Sequence, residues 1–161
     1  MTFLFSEDGR DDDVLGAFRR DYLESVRDFF PPSAYTLATS DWYFSPEDHR
    51  CPHDAWLELF YITEPSSGQR HEVRTLSLLV RLLGASHDGY IELLYPTVFA
   101  YRLNLDNGVF GHRDWRYDEL RVSDKGRLIH EIEWCDSADI GRWLIEASDL
   151  QLRWVPFSTR N

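Results

Sequence analysis

The sequence predicts a mainly β domain, an antiparallel meander closed into a barrel or folded as a sandwich, with one amphipathic helix at its N-terminus. Two observations predict it. Apolar residues recur at helical spacing only before Pro31-Pro32, and from Ser33 onward they alternate with a period of two. Turn-forming clusters then interrupt the alternation at intervals of roughly ten residues with no helical stretch between them, the pattern of an all-β meander. A length of 161 residues fits one domain, 1–161, large enough to bury its own core.

Residues 1–10 read as a flexible arm. The helix is expected over 11–30, where Asp11-Asp12-Asp13 cap the orphan N–H groups and oppose the positive end of the dipole. Val14, Phe18, Tyr22 and Val26 follow at i, i+4 spacing and form one apolar stripe, with Leu15 and Phe29 beside it. Pro31-Pro32 is the expected stop. The β domain, 33–157, carries expected strands at 35–44, 56–63, 73–83, 90–95, 98–105, 117–122, 128–134, 143–147 and 150–155. Leu128, His130, Ile132 and Trp134 share one face of their strand and Ile129, Glu131 and Glu133 the other. His53-Asp54-Ala55-Trp56, His87-Asp88-Gly89-Tyr90 and His112-Arg113-Asp114-Trp115 each place turn residues and an aromatic at a strand entrance.

Charge narrows the function classes. Lys plus Arg is 17 against 28 Asp plus Glu, a net charge of −11, which repels phosphate backbones and anionic membranes and suits a basic protein. Nucleic acid and membrane are therefore not expected as partners. Two cysteines in a chain of this size form no disulfide framework, and the first residues lack a basic leader, so a cytoplasmic location is expected.

Three constellations could carry chemistry. His49, Cys51 and His53 would project to one side of an extended segment as zinc ligands, although Pro52 breaks the extension and no familiar zinc spacing is present. The expectation is no metal and no cofactor. Glu131 and Glu133, two residues apart on one strand face, stand roughly 7 Å apart, within the range of glycosidase carboxylate pairs. The run Glu131-Ile132-Glu133-Trp134-Cys135-Asp136 resembles, with acids exchanged, the E-x-D-x-x-E motif of laminarinase-like jelly-roll glycosidases. Ser86-His87-Asp88 is a contiguous run in a turn, whereas a triad converges from separate elements.

Leu82-Leu83-Gly84, His87 to Leu93, Tyr95-Pro96 and His130 to Trp134 resemble a run found in small acidic bacterial proteins, over roughly residues 42–155. Those proteins are similar in kind to the immunity partners encoded beside polymorphic toxins. The resemblance implies a family and a fold, and it transfers no catalytic residue. The leading expectation is thus a non-enzymatic protein-binding domain, an immunity-like inhibitor of a basic partner. Asp88, Tyr90, Asp114 and Trp115 are its expected contacts, since Trp and Tyr are enriched at interface hot spots. A carboxylate-dependent hydrolase using Glu131 and Glu133, and a small-ligand-binding β-barrel, are the alternatives.

Overall fold

The computed structural model describes residues 12–106, 111–135 and 140–158. The expected arm, 1–10, lies outside them. Helix α1 (Asp12–Val26) runs into a 3₁₀ turn (Arg27–Phe29), followed by α2 (Pro32–Ala38) and a second 3₁₀ turn (Asp41–Phe44). The strands are β1 (Trp56–Thr63), β2 (Ser66–Ser67), β3 (Val73–Arg74), β4 (Ser77–Leu83), β5 (Gly89–Tyr95), β6 (Val98–Leu105), β7 (Asp114–Val122), β8 (Leu128–Cys135), β9 (Ile140–Ala147) and β10 (Gln151–Pro156). The protein is mainly β.

Eight strands form one antiparallel sheet in the order β10-β5-β4-β1-β7-β8-β9-β6, and β2 and β3 form a small separate hairpin. The two central strands, β1 and β7, pair only at Trp56 and Asp114. That single bridge divides the sheet into two halves, β10-β5-β4-β1 and β7-β8-β9-β6, whose inner faces meet. Phe60 of β1 reaches Trp143 of β9 with ring centroids 5.2 Å apart, and Tyr95 of β5 bonds His130 of β8. The sheet is open at β10 and β6, so the architecture is that of a sandwich and the closed-barrel alternative is corrected.

The strand expected at 35–44 is α2 and a 3₁₀ turn. Pro31 ends the first helical segment, but Pro32 occupies the first turn of α2, where a missing N–H costs nothing. Pro31 offers no side-chain cap. The remote carboxylate of Asp149 supplies one, accepting from the backbone N–H of Ala34 at 2.8 Å and of Ser33 at 3.2 Å. The expected α1 stripe also needs correction. Val14 and Phe18 are exposed, Phe18 at 41%, while Leu23 is buried and Tyr22 and Val26 pack against the core. The buried face is thus rotated toward Leu23, and the Tyr22 hydroxyl accepts the Val122 backbone N–H at the β7 edge.

The inner faces bury Leu78, Val80, Leu82, Ile91, Leu93 and Tyr95 from one half against Trp115, Leu128, Ile132, Trp134, Trp143 and Ile145 from the other. A polar network lies within this apolar core. Asp118 accepts from the Tyr43 hydroxyl at 2.9 Å, from Trp115 Nε1 at 3.1 Å and from His130 Nε2 at 3.0 Å. His130 Nδ1 in turn accepts from the Tyr95 hydroxyl at 2.8 Å. Burial, reinforced by the Asp118 charge, pushes the Tyr43 and Tyr95 hydroxyls well above the usual phenol range. Trp115 and Asp118 differ in parity along β7, yet both point inward. The register shift between Trp115 and Tyr117 makes this possible, because a bulge adds one residue and reverses the alternation.

These placements carry a stability ranking. Asp118→Ala would leave three buried donors unpaired and is expected to cost about 3–5 kcal/mol. Leu23→Ala is expected to cost about 2–4 kcal/mol and Phe18→Ala less than half of that. Urea denaturation of the three variants checks the order, and a Phe18→Ala loss matching Leu23→Ala would refute the helix orientation.

Candidate functional site

The outer face of the β10-β5-β4-β1 half is built in cross-strand rows by its register. Trp56, Leu83, Tyr90 and Val155 stand side by side across the four strands, at the end near the β4–β5 turn. Trp56 is 49% exposed and sets its ring edge against His87 at 4.7 Å. Tyr90 packs against Phe157 at 4.8 Å, lies under the Arg81 guanidinium, and donates its hydroxyl to Glu58 at 3.1 Å. Asp54, Asp88 and Asp114 rim this aromatic row: Asp54 precedes Trp56 by two residues, Asp114 pairs with Trp56 across β1 and β7, and Asp88 leads into Tyr90. Left-handed backbone at Asp54, His87 and Arg113 makes the three strand entrances turn sharply, which is the common feature behind their similar sequences.

The next row pairs Leu59, Arg81, Glu92 and Arg153. Glu92 is buried between the two arginines, each of which donates through Nε and a terminal nitrogen. Burial alone would raise the Glu92 carboxyl, but the hydrogen bonds from Arg153 and Arg81 together outweigh it and hold it below the usual range.

The expected contact residues divide. Tyr90, Asp88 and Asp114 lie on or beside the aromatic row, whereas Trp115 is 1% exposed and belongs to the core. Trp115 as a surface contact is therefore corrected. The tryptophan at the rim is Trp56, which shares the strand-entrance pattern and differs in lying on the outer face.

The zinc set does not converge. Residues 48–55 form turns, with Cys51 N–H bonded to Asp48 and Ala55 N–H to Pro52, so alternate residues do not project together. His49 pairs with Asp88, and His53 Nδ1 lies 3.2 Å from Asp54. The Cys51 thiol turns inward and donates to the Tyr43 carbonyl at 3.1 Å, and burial pushes it up to about 11. Among the described residues no group of three or more ligating side chains could hold a metal ion.

The carboxylate pair lies within a network of ion pairs. Glu131 and Glu133 share a face, but Glu131 is buried opposite Glu119 in the β7–β8 register, and Arg121 ion-pairs with both of those glutamates. Burial first, and then the Glu119 charge, raises the Glu131 carboxyl against the pull of Arg121 and Arg142. Arg142 pairs with Glu133 at 2.9 Å. None of the three described clefts is lined by Glu131 or Glu133.

No family model matches the chain, and neither the curated proteins nor the solved structures compared with it give a match.

The Glu92 arrangement has a pH signature. Its folded pKa lies below the unfolded value of about 4.3, so its stabilisation is present above that pH and is lost as pH falls through the folded value. Glu92→Gln is expected to destabilise the protein at pH 7 and to differ from wild type progressively less below about pH 4. Denaturation midpoints measured across that range provide the check, and a gap that widens on acidification would contradict the assignment.

Proposed function

We propose that the chain is a non-enzymatic protein-binding domain, an inhibitor of the immunity kind, acting on a basic partner in the cytoplasm of a bacterium. The observation that carries this reading is the aromatic row of exposed Trp56 and half-buried Tyr90 rimmed by Asp54, Asp88 and Asp114. Large amphipathic rings supply desolvated contact at low entropic cost, and carboxylates around them select cationic side chains. The −11 charge of the chain then speeds encounter with a basic protein, while the rings govern dissociation.

The acidity is also placed to help. Residues 12–54, the helices and the loop after them, hold 9 acidic and 4 basic residues. That loop reaches the rim through the His49–Asp88 pair. Among the described residues no helix is long and apolar enough to cross a membrane. Against a hydrolase reading stands the neutralisation of Glu131 and Glu133 by arginines outside any described cleft.

The test is titration calorimetry with the product of the adjacent gene. Affinity is expected to fall at least about tenfold between roughly 50 and 500 mM salt. Trp56→Ala is expected to cost about 2 kcal/mol or more of binding while leaving the fold intact. Tight binding that ignores both salt and Trp56→Ala would remove the basis of the proposal.

A further inference from the structure

The outer face of the β10-β5-β4-β1 half has a third row, Tyr61, Leu79, Leu94 and Gln151. Three rows therefore lie across four strands: an aromatic and aliphatic row, the charged row Leu59-Arg81-Glu92-Arg153, and a second apolar row. Tyr61 is 56% exposed, and Leu59 and Leu94 are also exposed. An antiparallel sheet that faces solvent ordinarily alternates apolar-in with polar-out, and this half carries apolar residues on both faces. A contiguous exposed apolar patch bordered by charges marks an interaction surface.

We propose that a second copy of this chain covers this face, related by a two-fold axis parallel to the strands and lying between β4 and β5. That axis brings β4 of one copy over β5 of the other while keeping each row over itself. Arg81 then faces Glu92 of the second copy, and Glu92 faces its Arg81. Leu79 meets Leu94, Leu83 meets Tyr90, Trp56 meets Val155, and the stem of Arg153 lies over Leu59. Sheets that pack face to face rotate by about 30°, which leaves the pairs nearest the axis, Arg81 with Glu92 and Leu79 with Leu94, in register.

Charge chooses between the two axes open to such a face. A two-fold perpendicular to the strands would set Arg81 on Arg81 and Glu92 on Glu92, like charge on like. Only the parallel axis is complementary, and an isologous contact must be complementary to itself. Each Glu92 already holds its two arginines at fixed positions, so the charged row is ordered before the copies meet. Arg153, 74% exposed, keeps unused N–H groups for the facing copy.

The area sets the strength. Four strands at about 4.8 Å spacing and three rows at about 6.8 Å enclose roughly 400 Å² per copy, half of the roughly 800 Å² usual for a stable complex. The dimer is accordingly weak, with a dissociation constant of order micromolar to tens of micromolar. At the charged row of this face Arg81 and Arg153 balance Glu58 and Glu92, while Asp54, Asp88 and Asp114 lie at its rim. This inference does not rest on the basic-partner reading. The two surfaces share only the Trp56–Tyr90 row, and either occupant stands without the other.

Sedimentation velocity of the full chain from about 5 to about 500 μM tests it. Wild type is expected to pass from monomer to dimer across that range. Leu94→Glu and Tyr61→Glu, both solvent-facing changes, are each expected to weaken association at least tenfold, with circular dichroism reporting the fold of each variant. Two separate positions keep the test decisive if one variant misfolds. Phe29→Glu, on the exposed helical side, is expected to leave association unchanged. A monomer at the top concentration overturns the proposal. So does a dimer that survives both face variants, or one lost in Phe29→Glu alone.

Discussion

The acceptance of three hydrogen bonds by one buried carboxylate, Asp118, is the constraint around which this molecule is organised. A lone carboxylate in an apolar core would be prohibitively costly. Asp118 instead takes donors from the turn after α2 through Tyr43, from its own strand through Trp115, and from β8 through His130. His130 passes the connection to Tyr95 on the opposing half of the sheet. Helical layer and both sheet halves are thereby tied to one point. Because each donor is buried, none can exchange its partner for water, and the relative placement of the layers is fixed by geometry as well as by apolar burial.

The bulge in β7 makes this convergence available. In regular alternation Trp115 and Asp118 would point to opposite faces. The extra residue turns both inward, and one donates to the other across a short span. The same inversion settles the outer face: Tyr117, Glu119 and Arg121 point outward together and meet Glu131 and Glu133 on β8. Tyr117 donates to Glu119, and Arg121 bonds Glu131. A carboxylate cluster that reads as a catalytic pair in isolation is therefore one side of an ion-pair lattice. Its raised Glu131 follows from burial beside a like charge, a structural consequence of the register.

Much of the fold was legible because it depends on local period. The strands expected at 56–63 and 98–105 have the observed bounds of β1 and β6, and most others differ by a few residues at the ends. What was not legible depends on distant residues. The segment 35–44 is rich in strand-forming residues, but α2 forms there because Asp149, far along the chain, caps it and its Ala34, Leu37 and Ala38 fill the core. Tryptophans 56 and 115 follow nearly the same turn pattern and are indistinguishable to a reading of residue types. Only the bulge and the pairing with β4 send one to the core and the other to the rim. The pairing of Glu92 with arginines on both neighbouring strands is also a matter of register, invisible until three strands are aligned.

Charge and apolar surface are distributed with a division of labour. Carboxylates that register places among apolar neighbours are matched by arginine: Glu92 between Arg81 and Arg153, Glu131 beside Arg121, and Glu133 beside Arg142. Other acids lie on the helices, the loop after them and the strand entrances, where Asp48 pairs with Arg50 and Asp88 with His49. A field of one sign on that side acts at the range of a Debye length, about 8 Å in physiological salt, and so influences approach more than contact. The outer face of the β10-β5-β4-β1 half, nearly balanced in charge and rich in rings and aliphatic groups, acts only on contact. Long-range selection and short-range adhesion thus occupy separate surfaces that meet at the Trp56–Tyr90 row, where aromatic rings and the strand-entrance aspartates lie together.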